Sequence, residues 1–548
     1  MGRLLVIPLV LLALLVAALA WSGGGGARSR PDFTFINRGE IGTLDPNRMS
    51  WMQDIRVGYM IWEGLYALDP VTLDPVPGAA QSIDINPDKT VYSFHLRSDG
   101  RWSNGDAVVA GDFAFAWRRM LEEPGDYSYL LNYIKGAKAY SQNFVDNKPA
   151  DFASVGIEAL DPHTLRVTLN HPVTFFPDLC AFAPFFPLNE RSMRPFQKKD
   201  EPTGHVTYDK AFTRHLVGNG PYNLVDWQFK RGVRFEANPN YWDHANVKSK
   251  VIYMVSADDP LAAFLKYDSG AVDWQAEITG DIAAELLRAH RPDLHVFPSF
   301  GTYFYSVNCQ PKLPDGRDNP LADARVRQAL TMSIDKQAIV ETITRLGEKP
   351  ADKYIPPGIF NHFESAPGLG YDIARARQLL NDAGYPGGRG FPQLSLLYNN
   401  EANHGDIAQN VRRQWIEHLG IDFKPEPVEI KTFRERLHKK DYAIARASWF
   451  GDYNDVSTFT DKYLSNSENN DSDWQNAKYD QLCAKAEVEP DAEKRLRLLE
   501  QAEDLINTEL PIIPIYYYVN TYLFRANVKG IPLDKRDMLN FKSVYVVR

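Results

Sequence analysis

Cysteine is scarce: 548 residues contain three, Cys180, Cys309 and Cys483. None lies within ligand spacing of another, which excludes a local zinc ribbon or CxxC redox site and allows at most one disulfide. Basic residues are also outnumbered. With 61 Lys and Arg against 70 Asp and Glu, the net charge is −9 and the pI about 5.8, so the chain lacks the excess of cations that nucleic-acid binding requires. The sequence has no GxSxG elbow, no HExxH, no GxxxxGK[ST] and no EF-hand loop, and its twelve histidines are scattered, which leaves no enzyme or metal signature to build on. The one glycine run, Gly23 to Gly26, is not followed by a helix and cannot cradle phosphate. Glycine and proline, 36 of each, are too few for collagen or general disorder. The 44% of hydrophobic residues supply core for a large multi-domain unit.

Long apolar runs are likewise absent, with one exception at the start. Arg3 precedes an unbroken apolar stretch from Leu4 to Trp21 that ends in Ala18-Leu19-Ala20, a small-x-small pattern that signal peptidase reads. Residues 1–20 are therefore a signal peptide or an uncleaved membrane anchor. Either way the rest of the chain is exported. No cysteine follows the run to carry a lipid. Residues 21–31 form a flexible, Gly-rich tether, and folding is expected from Asp32.

Past Phe33, strand and helix patterns alternate without a fixed repeat, which indicates an α/β architecture. Val91 to Arg97 and Leu165 to Leu169 alternate in period two after the turns Asn86-Pro87-Asp88 and Asp161-Pro162-His163, so they read as half-buried strands. His95 falls on the exposed side of the first. Asp112 to Leu121 reads as an amphipathic helix capped by Asp112. Further helices are expected at 322–333, at 373–383 before Gly384, at 407–419 before Gly420, and at 492–508. The strand 422–430, a helix after Thr432 and the strand 442–447 follow, an order that predicts a parallel sheet whose strand ends face a ligand cleft. Pro511 to Val519 reads as a strand with prolines at its start, crossing back through the molecule.

One stretch carries chemistry. In Arg446-Ala447-Ser448-Trp449-Phe450-Gly451-Asp452 a strand ends in an aromatic pair, a glycine and an acid. That is where a carboxylate can project from a sheet edge into a cleft. A loop aspartate capping its own turn is the other reading, and the residues alone leave both open.

From Phe35 to the C-terminus the chain resembles the extracytoplasmic solute-binding proteins of peptide ABC transporters. The resemblance is carried by Gly42-Thr43-Leu44-Asp45-Pro46, Trp62-Glu63-Gly64-Leu65, the segment Ala80 to Arg119 with Trp102-Ser103-Asn104-Gly105-Asp106, and Gly218-Asn219-Gly220-Pro221-Tyr222. It continues through Asn238-Pro239-Asn240-Tyr241-Trp242, Asp323 to Leu330, Leu397-Tyr398-Asn399-Asn400 and Tyr516 to Asn520. It implies a two-lobed, periplasmic-binding-protein-like (type II) α/β fold with an extra subdomain in lobe I. Lobe I would comprise 32–300 and 516–548, with the subdomain inserted at about 63–184, and lobe II would comprise 301–515. The hinge would lie near Phe300 and Ile515.

The resemblance further implies a non-enzymatic receptor, without catalytic residues, metal or cofactor, that traps short peptides between its lobes and hands them to inner-membrane permease subunits. It would act as a monomer in the periplasm. Asp452 would hold the peptide α-ammonium, and the strand through Ser448, Trp449 and Phe450 would pair with the peptide main chain. Arg446 and His404 would meet the carboxylate at different ligand lengths, with Asn399 and Tyr518 completing the site. For Arg446 a structural ion pair, and for His404 an exposed loop position, are the alternatives. Thr331, Ile430 and Leu437 stand where the family has a lysine, a tryptophan and an arginine, and Gly301 and Phe450 stand where relatives have a disulfide. These departures point to short peptides held mainly by the amino end. Other readings are a receptor for a sugar or metal chelate, an extracytoplasmic hydrolase using paired acids, and a tethered sensor.

Overall fold

A computed structural model describes residues 29–37, 39–69, 72, 74–199 and 205–548. The apolar segment 1–20 and most of the tether 21–31 lie outside the described residues. Among the described residues no helix is long and apolar enough to cross a membrane.

One mixed sheet runs through the whole molecule. Its strands follow the order Tyr222–Gln228, Gly232–Ala237, Val251–Val255, Phe33–Ile36, Trp274–Ala276, Ile512–Phe524, Leu294–Val307, Ile444–Phe450, Leu394–Asn399 and Phe423–Val428, with Lys349–Pro350 pairing off this path. The two long central strands are antiparallel, and their register breaks twice. Between Pro298↔Val519 and Thr302↔Tyr517, Ser299, Phe300 and Gly301 stand opposite Tyr518 alone, a bulge that bends the ladder. The second break, between Tyr303↔Tyr516 and Phe304↔Pro514, places Pro514 where its missing N–H costs no ladder bond.

The core divides around these strands. One apolar cluster gathers residues from Phe33 to Phe297 together with Tyr453 and the segment from Tyr522 to Val544. Two others draw on the region from Phe300 to Tyr516. A separate antiparallel sheet, in the order Ala80–Ile85, Val91–Leu96, Thr164–Thr168, Ile157–Asp161, packs with the helix Ala110–Glu122 in the first cluster.

The period-two pattern of 91–97 appears as strict alternation of burial in Val91–Leu96. His95, on its outer side, is half-exposed and meets Asp84 at 2.7 Å. Several boundaries differ from the sequence reading. The helix at 112–121 begins at Ala110. Asp112 sits inside its first turn, where it accepts from the Val109 amide and the Trp102 indole, so a residue read as the cap is the returning half of a capping box. The helix read from 322 begins at Ala324, capped by Asp323. The helix read from 407 begins at His404. Strand 423–428 ends two residues early because Glu429 caps the helix Ile430–His438. Its Pro425 and Pro427 are tolerated because it is the last strand of the sheet. The two expected strands, 423–428 and 444–450, are parallel, joined through 394–399, a strand that the sequence reading did not mark and that lies between them.

Helix His404–Leu419 shows why this end of the sheet is stable. Ile407, Ala408, Val411, Trp415 and Leu419 recur at helical spacing on its buried face, and Gly420, at φ 70°, closes it in the left-handed region. Trp415 is fully buried, packs at a tilt against Phe423 and donates its indole N–H to the Leu330 carbonyl at 3.0 Å. Trp415→Ala should lower stability by about 3–5 kcal/mol, measured as a shift of the urea unfolding transition of this half of the molecule.

Candidate functional site

The strand Ile444–Phe450 is paired fully on one side only. Toward the long strand it runs from Gly301↔Phe450 to Val307↔Ile444. Toward Leu394–Asn399 it pairs only at Ile444 and Ala445. From Arg446 to Phe450 that edge is open. The bonds Asn308 N–H to Ala443 O and Gly451 N–H to Phe300 O set the antiparallel alternation, so Arg446, Ser448 and Phe450 direct their main-chain N–H and C=O groups to the open edge. Gly301 directly opposite Phe450 is required by space, because a Cβ there would lie 2.5 Å from the Phe450 ring.

Past the strand, the chain turns through 451–458. Asp455 caps this turn, accepting from the Ser457 amide and hydroxyl while Arg495 grips both its oxygens at 2.7 Å. Thr458 ties the turn to the strand: its carbonyl accepts from the Trp449 indole and its hydroxyl from the Asp452 amide. The capping role left open for Asp452 thus belongs to Asp455. The Asp452 carboxylate is free to face the cleft.

That carboxylate is half-buried and accepts a 2.7 Å hydrogen bond from the Tyr129 hydroxyl, a residue 323 positions away. Desolvation pushes its pKa up to about 6, against the opposing hydrogen bonds of Tyr129 and Tyr127. Among the described residues no Lys, Arg or His nitrogen pairs with it. It lines a cavity of about 410 Å3 with Trp449, Tyr129, Tyr133 and Asp461. An adjoining cavity of about 490 Å3 shares Tyr133, His171, Asp461 and Glu487 with the first. The walls meet across the cleft: His171 pairs with Glu487 at 2.7 Å, Phe175 stacks on Tyr453 at 4.2 Å, and Asp178 accepts from both the Asn454 amide and Arg536.

The remaining residues named from the sequence fall into a second group. Arg446 donates to the Tyr518 hydroxyl at 3.0 Å and lies 5.2 Å from the centre of the Tyr303 ring. Its Nε has no hydrogen-bond partner, and among the described residues no carboxylate pairs with it, so it is not part of a structural ion pair. Phe450, 46% exposed, packs over Tyr518. His404 is the first residue of a helix and buried, in contact with the Tyr303 hydroxyl, not an exposed loop residue. Desolvation, with the Arg446 charge nearby, pulls its pKa down to about 3, so its ring is neutral at physiological pH and offers a carboxylate no charge. Asn399, at the point where the strand edge opens, is buried and bonds Glu401, while its Oδ1 has no partner. Of the three tyrosines 516–518, the first two are buried and Tyr518 faces Arg446 and Phe450.

Sequence reasoning missed Tyr129, Tyr133, His171, Asp461 and Glu487. The one local signal was the aromatic density of Tyr127 to Tyr133, which core packing explains equally well.

An open strand edge with an unpaired carboxylate at one end and an unpaired guanidinium at the other, set in a cleft between two packed bodies, defines a solute-binding protein. The chain belongs to the bacterial extracellular solute-binding proteins, family 5, whose model matches residues 74–471. It is 32% identical to the oligopeptide-binding protein OppA of Bacillus subtilis over 86% of this chain and 85% of the relative. It is 31% identical to the periplasmic oligopeptide-binding protein OppA of Escherichia coli, over 93% and 92%. Among solved structures, the unliganded open form of the periplasmic murein tripeptide-binding protein MppA superposes with a TM-score of 0.78 at 29% identity, covering 95% of this chain and 98% of that one. OppA of Haemophilus influenzae in complex with RPPGFSPFR superposes at 0.74 and 28% identity, covering 95% and 100%. These matches carry the two-lobed type II fold.

The turn that presents Asp452 depends on a largely buried ion pair. Arg495→Ala leaves Asp455 uncompensated, and should cost about 3–5 kcal/mol in chemical denaturation while loosening the 451–458 turn in amide exchange.

Proposed function

We propose that this protein is an exported receptor that captures short peptides in its interlobe cleft and delivers them to the permease of an ABC transporter. The single observation that carries this reading is the pairing of Asp452, which has no cation, with the open edge beside it. A peptide α-ammonium supplies the missing positive charge, and an extended main chain supplies the missing edge partner. Peptide binding in the named relatives supports it.

Lobe I is assigned to 32–300 and 516–548, with its inserted subdomain at 63–184, and lobe II to 301–515. The hinge is assigned to the register break beside Phe300 and to Ile515. In this arrangement the peptide runs antiparallel to Ser448 and Phe450, whose main-chain groups point outward. Trp449 forms the wall beside its amino end, and Arg446, oriented by Tyr518, meets its carboxylate end. His404 contributes a neutral hydrogen-bonding group, and Asn399 borders the edge. A strand rises about 3.3 Å per residue, so the six steps from Arg446 to Asp452 span at most about 20 Å and cap the ligand held at both ends at about six residues. Main-chain recognition makes the receptor tolerant of sequence. The receptor acts outside the cytoplasm as a monomer, without chemistry on its ligand, and closure of the lobes forms the surface offered to the permease.

Asp452→Asn should weaken tripeptide binding at least about tenfold, because a charge-assisted hydrogen bond contributes about 1.5–3 kcal/mol. Calorimetry decides it, and an N-acetylated tripeptide should lose a comparable factor on the unaltered protein. Equal affinity of free and acetylated peptides would remove Asp452 as the anchor.

The pH dependence has a definite sign. As pH falls through about 6 the empty site takes up a proton on Asp452, and the neutral acid no longer attracts an ammonium. Affinity should therefore drop by up to tenfold per pH unit below about 6, and fall again above about 8 as the free peptide's own α-ammonium loses its proton. A flat titration between pH 5 and 7 would contradict this.

A further inference from the structure

The charges around the cavity beside Asp452 do not balance. Glu487 is matched by His171, Lys462 by Asp471 at 2.8 Å, and Arg495 by Asp455. Two carboxylates in that lining form no ion pair among the described residues, Asp452 and Asp461; Arg495 and His171, each already paired, reach Asp461 only as a weaker Coulombic attraction. Each is met by a tyrosine of one short helix, Ser128–Tyr133: Asp452 by Tyr129 at 2.7 Å and Asp461 by Tyr133 at 3.4 Å. Tyr453 adds a second contact to Asp461 at 3.3 Å. Both contacts to Asp461 exceed the usual 2.7–2.8 Å of O–H···O bonds, so its acceptors are only loosely engaged. Asp461 also borders the adjoining 490 Å3 cavity, in which Asp480 adds another acid, bonded to the Ser465 amide. Two separate carboxylates lining one continuous space fit a ligand with two positive charges a few bonds apart.

We infer that Asp461 is a specificity-determining residue that selects peptides whose first side chain is cationic, as in lysine, arginine or ornithine. The inference rests on the peptide reading, with Asp452 holding the α-ammonium. The first side chain leaves the carbon that bears that ammonium and enters the space continuous with Asp461, where the four-carbon stem of lysine packs against Tyr133 and Trp449 while its ammonium reaches the second carboxylate. The loosely held hydroxyls of Tyr133 and Tyr453 then share Asp461 with a charged donor. Burial pushes the Asp461 acid up to about 7, in keeping with a carboxylate that awaits a cation. A neutral first side chain leaves Asp461 as it is in the empty protein.

The test compares, by calorimetry on the full chain at pH 7.5, Lys-Ala-Ala with norleucine-Ala-Ala, which keeps the stem and removes the charge. Ala-Ala-Lys against Ala-Ala-norleucine serves as the positional control. The lysine-first peptide should bind at least about tenfold tighter than its norleucine partner, the control pair should agree within about threefold, and Asp461→Asn should bring the first ratio close to one. Equal binding of the first pair overturns the inference, as does a preference that survives in a folded Asp461→Asn protein. If that variant does not fold, the first pair on the unaltered protein still decides. Binding of all tripeptides with no positional preference removes the selectivity alone, whereas failure of every tripeptide to bind removes the peptide reading with it.

Discussion

The antiparallel pairing of Leu294–Val307 with Ile512–Phe524 is the constraint on which the rest depends. They lie side by side in the middle of the large sheet, with Trp274–Ala276 on one flank and Ile444–Phe450 on the other, so they join its two halves. A ladder of this length is stiff where its register is regular and bends where residues are left unpaired. The stretch from Ser299 to Gly301, out of register with Ile512–Phe524, falls beside Phe450, Tyr518 and the start of the 451–458 turn. The bend and the proposed ligand edge thus share residues. Motion at one cannot leave the geometry of the other unchanged.

The cleft concentrates charges that lack an ion-pair partner. Several buried cations of the scaffold have carboxylate partners: Arg119 has Asp45, Arg536 has Asp178, Arg56 has Asp537 and Arg495 has Asp455, while Arg327 and Lys336 are held by main-chain carbonyls. In the cleft Arg446, Asp452 and Asp461 have neutral hydroxyl partners instead. Burying a charge without a counter-ion is costly. Such a cost is characteristic of places where a ligand supplies the missing partner. Tyrosine suits the interim role, since its hydroxyl donates to a carboxylate or accepts from a guanidinium without adding charge.

Much of this was legible in local pattern. Helix 373–382 before Gly384, the body of helix 404–419 before Gly420 and the parallel strands 423–428 and 444–450 follow from periodicity and end signals, which are local properties; strand 394–399 between them was not read. The errors were at helix starts, where Asp112 and Asp323 are both plausible caps by type and only backbone geometry distinguishes an N-cap from a third-position acid. The strand read as 511–519 ends five residues short of Phe524 because the polar Asn520 and Thr521 interrupt its pattern and are held in the sheet by tertiary pairing and not by their own alternation.

By itself the sequence determined the class of fold, the absence of enzyme signatures, and the importance of the stretch ending in Asp452, because hydrophobic period, turn chemistry and family motifs are written in neighbouring residues. Only the tertiary structure decided what that stretch faces. Tyr129 and Tyr133 reach Asp452 and Asp461 across more than 300 residues of chain, His404 is buried and neutral, and the edge from Arg446 to Phe450 is open because strand 394–399 stops short of it. Protonation state, counter-ion and free backbone edge are properties of an environment, and the environment is assembled from segments whose spacing in the chain carries no record of their meeting.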